Sequence, residues 1–109
     1  MLHKMKLVDF AFNKIKCGEK DIEVRLDDEK RRLIKIGDKI EFTHIDTGET
    51  ILVEVVNLHR FDSFLELFNS FDHKRLGIGE NDDASIMNKF YTKEEQDKYG
   101  ALGIDIRII

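Results

Sequence analysis

The chain has no proline and one cysteine, and no apolar stretch approaches the roughly 20 residues that a membrane-spanning helix needs. A lone thiol excludes an internal disulfide and a thiolate cluster, and it accords with a reducing compartment. Cys17 stands beside Gly18 at the expected end of a helix, where the backbone dipole disfavours a thiolate, so it reads as structural. The opening MLHKMKLVDF lacks the long apolar core of a secretory signal, and a cytoplasmic location is expected. His3, His44, His59 and His73 have no spacing that suits zinc or iron. No glycine-rich loop ends in Lys-Ser/Thr, no serine sits in a nucleophile elbow, and GIGEND at 77–82 lacks the remaining glycines of a dinucleotide fingerprint. No metal or cofactor is therefore expected.

What is present describes a charge-rich globular chain. Its 109 residues suit one domain, 1–109, with a core of its own, and 37% charged residues beside 41% hydrophobic ones argue against disorder. The net charge of −4 disfavours indiscriminate binding of nucleic acid. The charge is unevenly spread: residues 1–40 carry 11 Lys or Arg against 8 Asp or Glu, and residues 41–109 carry 7 against 14. A basic patch in the first part can still meet phosphates on an acidic protein, and the acidic remainder suits a basic partner.

Alternation and capping outline the elements. Met5 and Leu7 suggest a first strand, and Val8, Phe12 and Ile15 a helix closed by Gly18. Lys39–Ile45 and Thr50–Phe61 read as a hairpin joined through Asp46-Thr47-Gly48-Glu49, the second strand being apolar on nearly both faces and therefore central. Ser63-x-x-Glu66 and Thr92-x-x-Glu95 have the spacing of capping boxes. The first opens a helix whose Phe64, Leu67, Phe68 and Phe71 form a core stripe, and the second a helix ending at Tyr99-Gly100. Residues 72–83 read as loop, 84–90 as a short helix carrying Ile86, Met87 and Phe90, and Leu102–Ile109 as the last strand. The expected class is α+β: a small barrel of five or six mostly antiparallel strands flanked by helices, with Ile22, Val24, Phe42, Val53, Val55 and Ile106 in one core.

The chain is organised around Gly18–Phe42, GEKDIEVRLDDEKRRLIKIGDKIEF. Ile22, Val24 and Leu26 alternate with Asp21, Glu23 and Arg25, so the charged residues share the face opposite the apolar one. On the residues alone this is a solvated strand face held by an ion pair, or else a site where Arg25 presents a donor fork, Glu23 holds it and Lys20 reaches the same spot. Lys30, Arg31 and Arg32 follow in a helical turn that is either solvated or overhangs that face.

Four ordered blocks, GEKDIEVR at 18–25, DEKRR at 28–32, GDKIEF at 37–42 and YGALGI at 99–104, make the chain resemble the ASCH domain family along nearly its whole length. The resemblance implies a PUA-like β-barrel with a cleft beside the G-x-K-x-x-E-x-R strand, and binding of RNA or a nucleoside- or nucleotide-like ligand. Lys20, Glu23 and Arg25 would line that cleft, with Arg31, Arg32 and Tyr99 at its rim. One branch of the family hydrolyses the acetyl amide of N(4)-acetylcytidine and pairs the Lys with a Thr three positions on. Here Glu23 stands at that position, so amide hydrolysis of an acylated nucleoside would need Glu23 as general base and Lys20 to polarise the carbonyl. RNA cleavage by the same cluster is the other enzymatic option. A module that docks a basic protein is the non-enzymatic alternative to RNA binding.

Overall fold

The computed structural model describes residues 1–109. Strand β1 (Leu2–Leu7) leads into helix α1 (Asp9–Lys16), and β2 (Ile22–Leu26) follows the turn at Gly18. A 3₁₀ turn at Arg31–Leu33, opened by the Asp28 carboxylate accepting from the Arg31 N–H, precedes β3 (Lys39–His44) and β4 (Thr50–Phe61). Then come α2 (Phe64–Ser70), the one-turn α3 (His73–Leu76), a 3₁₀ segment (Ala84–Lys89), α4 (Lys93–Tyr99) and β5 (Ala101–Ile108). No helix is long and apolar enough to cross a membrane.

Both capping signals act as the residue types require. Ser63 accepts from the Glu66 N–H, and Thr92 and Glu95 form a reciprocal box. The β3–β4 turn is held by a histidine: the His44 Nδ1 accepts from the N–H groups of Asp46 and Thr47, so its Nε2 carries the proton and donates to Asp9 at 2.8 Å. This fastens the hairpin to the start of α1.

The five strands form one sheet in the order β1-β3-β4-β5-β2, antiparallel except for the parallel β1–β3 pair. A register shift between Val55 and Asn57 bends β4, and the sheet curls into a half-barrel flanked by helices, an α+β fold of the PUA-like kind. β4 is central, as expected, yet over its first half only one face is covered: Ile51, Val53 and Val55 are buried while Leu52 and Val56 are exposed, and only beyond the register shift do both faces pack, Leu58 against one core and Phe61 against the other.

Two cores replace the single one expected. Inside the curl, Phe42, Val53, Val55 and Ile106 pack with Ile40, Leu102 and Ile104, and α1 closes the space with Phe12 and Ile15. On the far side of β2 and β5, Ile22 and Leu26 pack with Phe64, Leu67, Phe68, Leu76 and Met87 of the helical layer, and Val24 is half-buried against them. Residues 72–83 are not all loop. Asp72 accepts from the Lys74 N–H to cap α3, and Leu76 is buried. A single turn with one apolar residue is too short to display a period.

Candidate functional site

Pairing with β5 decides what the charged face of β2 meets. Glu23 lies opposite Ile104, and Arg25 opposite Leu102. Directly opposed residues point to the same side of a sheet, so Glu23 and Arg25 share the side of the inner core, and the apolar side of β2 serves the helices. The solvated-face reading is thereby corrected: Lys20 is 5% exposed and Glu23 4%.

The three charges form one bonded chain across the opening between the edge strands β1 and β2. Lys20 Nζ donates to the carbonyl oxygens of Ile22 at 2.6 Å and Leu76 at 2.8 Å, and it lies 3.3 Å from Glu23 Oε1. Arg25 Nε donates to Glu23 Oε2 at 2.8 Å, and Arg25 Nη2 to the Lys6 carbonyl oxygen of β1 at 2.9 Å. Two carbonyl oxygens that accept from Nζ and a carboxylate oxygen beside it make a setting for charged lysine, even though burial draws its pKa below the ordinary value. Burial pushes the Glu23 carboxyl up, but the Arg25 and Lys20 charges outweigh it and hold that pKa below the usual carboxylate value. Arg25 answers the same way: burial pulls down, the Glu23 charge pulls up, and the net direction is up.

Above this floor opens a cleft of about 260 Å³, with 12 of its 17 lining residues hydrophobic. Leu7, Phe10 and Ala11 line it from β1 and α1, and Phe68, Leu76, Ile78, Met87 and Tyr91 from the helical layer. Phe10 and Phe90, each 60% exposed, stand at its mouth. Such a space suits one small, flat, largely apolar ligand with a polar edge rather than an extended chain.

The structure brings Lys20, Glu23 and Arg25 together and leaves the other three candidates outside the cleft. Arg31 pairs with Asp28 at 2.6 Å, and Arg32 turns to the buried Asp27 at 3.8 Å, which Arg60 also approaches at 3.3 Å. Tyr99 packs against the second core at the end of α4. The rim is instead made by Phe10, Ile86, Phe90 and Tyr91. The available signal was an aromatic residue, Phe10, lying off the buried stripe of its helix. His59 lies away from the cleft, its ring edge-on to Phe71, and Cys17 is exposed with its Sγ donating to the Lys14 carbonyl oxygen. No group of three or more His, Cys, Asp or Glu side chains converges as a metal site would require.

Gly77 is the least obvious part of the site. It ends α3 in the left-handed region, with φ 73°, and a Cβ there would lie 2.6 Å from Lys20 Cδ. Because Nζ is pinned, that stem has little room to yield. Gly77→Ala is expected to cost about 1–3 kcal/mol of stability from backbone strain alone and to displace Lys20. Chemical denaturation checks this, and an unchanged midpoint would refute it.

A curled PUA-like sheet with a motif-lined cleft is the class that fold and site define. The chain belongs to the ASCH domain family, whose model matches residues 5–109. It is similar to the crystal structure of hypothetical protein PH0355, with 33% identity, a TM-score of 0.87 and full coverage of both chains. It is also similar to the solution structure of Protein PF0455 from Pyrococcus furiosus, with 31% identity and a TM-score of 0.77 over 100% of this chain and 98% of that one. Among curated proteins, none matches.

Proposed function

We propose that this chain binds an unpaired base of RNA, or the corresponding nucleoside or nucleotide, in the cleft that β1 and α1 form with the helical layer over the charged residues of β2. The observation that carries the reading is the cleft's composition: a buried Lys20–Glu23–Arg25 chain as floor, apolar walls, and two exposed phenylalanines at the mouth. Aromatic faces attract bases of any sequence by stacking, and a cationic floor meets their polar edges. The family membership supports the same reading.

The geometry weighs against hydrolysis of an acylated nucleoside and against RNA cleavage. Lys20 Nζ is held by two backbone carbonyls and paired with the Glu23 carboxylate, which leaves it poorly placed to polarise a carbonyl, and both Glu23 oxygens face a cation, which leaves a poor general base.

The test is a titration of single-stranded RNA oligonucleotides and nucleotides against the parent, Phe10→Ala and Phe90→Ala. Stacking contributes about 1–3 kcal/mol per base, so each variant is expected to bind roughly ten-fold more weakly. Their thermal midpoints should stay near the parent's, because both rings are mostly exposed. No binding by the parent, or undiminished binding by both variants, would overturn the reading.

A further inference from the structure

The floor of the cleft leaves a particular set of groups unspent. Arg25 has five N–H groups; one on Nε goes to Glu23 and one on Nη2 to the Lys6 carbonyl. Nη1 has no protein partner. Nor is it sealed from solvent: the buried side-chain atoms that lack a partner are Arg31 Nε and His59 Nε2. Arg25 lines the cleft with its side chain 15% exposed, so Nη1 and the second Nη2 proton remain for whatever enters. The guanidinium cannot turn to suit that visitor, being held by a carboxylate on one nitrogen and by the backbone of another strand on the second.

The carboxylate and carbonyl acceptors beside it are already engaged, and the Tyr91 hydroxyl, which also lines the cleft, can donate as well as accept. The Glu23 oxygens each face a cation, and the carbonyls of Ile22 and Leu76 receive Lys20. With the faces of an inserted ring covered by apolar walls, its edge is what Arg25 meets. An edge carrying two adjacent acceptors can receive both free N–H groups at once. An edge with a donor next to an acceptor sets one N–H against another and leaves both without partners, which is the more costly arrangement. Guanine offers such an acceptor pair at O6 and N7, and cytosine at O2 and N3. Adenine alternates N7 with the N6 amino group, and uracil sets the N3 proton between its two oxygens.

We infer that the cleft selects a base with two adjacent hydrogen-bond acceptors, guanine or cytosine, over adenine and uracil; the inference rests on the base-binding reading above. Arg25 is the group that discriminates, and Glu23 is a positioning residue that sets the plane of its fork.

The test titrates the full chain with GMP, CMP, AMP and UMP, followed by NMR chemical shifts. The phosphate and ribose are common to all four, so their contribution cancels. GMP or CMP is expected to bind about ten-fold or more tightly than AMP and UMP, the scale of one bidentate arginine contact. The 7-deaza analogue of GMP and the 3-deaza analogue of CMP each lack one acceptor and identify the source: the analogue of the preferred nucleotide should fall to the level of AMP and UMP. Arg25→Lys, confirmed folded by its amide spectrum, should flatten the preference while keeping the charge. Equal binding of all four, a preference for AMP or UMP, or a deaza analogue that binds like its parent would overturn the selectivity and leave base binding standing. If no nucleotide shifts any resonance, base binding itself fails, and the selectivity with it.

Discussion

Glu23→Gln is expected to destabilise the protein by about 3–5 kcal/mol, although it changes one atom and adds no bulk. The cost of breaking a buried ion pair lies in the charge left behind, and here two are left: Lys20, 5% exposed, and Arg25, whose Nε loses its carboxylate. A neutral amide offers one acceptor where the carboxylate serves two cations, and its NH₂ group points a further donor at one of them. The pH dependence adds an independent signature. The folded-state pKa of Glu23 lies below its ordinary value of 4.5. Its contribution is therefore complete above about pH 4.5 and is lost as the pH falls through the folded-state pKa. The stability gap between parent and variant should be widest near neutrality and close towards acid. Urea denaturation at a series of pH values measures both, and a gap under 1 kcal/mol at pH 7 would show that the triad is not a desolvated unit.

Gly100→Ala should be almost as damaging, for a reason that has nothing to do with charge. Gly100 joins α4 to β5 with φ 75° and ψ −164°, a combination open essentially to glycine alone. A Cβ at this position would lie 2.6 Å from the carbonyl oxygen of Phe61. That oxygen belongs to the end of β4, which pairs with Ala101, and the Gly100 carbonyl itself accepts from the Asp27 N–H beyond β2. No flexible side chain can yield, so three strands must shift. Backbone strain of about 1–3 kcal/mol and overpacking of about 1–3 kcal/mol together predict a loss of roughly 3 kcal/mol or more. A denaturation midpoint within experimental error of the parent would refute the close approach. The same approach explains physically why glycine stands in the YGALGI block of this sequence.

The outline of the fold needed only local physics. A period of two marked β2, the β3–β4 hairpin and β5, and the serine and threonine caps marked the starts of α2 and α4, because these signals act within a few residues of chain. They could not show α3, whose only buried residue is Leu76, nor that Leu76 would turn its carbonyl to a lysine 56 positions away. For the candidate site, the residues of the floor could be named from the GEKDIEVR block, but their condition could not. Alternation states that Glu23 and Arg25 lie opposite Ile22 and Val24; it does not state which side faces water. That was decided by the pairing of β2 with β5 and by the curl of the sheet, which together placed the charged side over the inner core and supplied a second apolar layer for the other. Sequence by itself determined the elements and the charged motif, since both are properties of neighbouring residues. Only the tertiary structure decided that the motif is buried, that Phe10 and Phe90 flank it, and that Arg31, Arg32 and Tyr99 do not, because a cleft is made of surfaces contributed by strands and helices far apart in the chain.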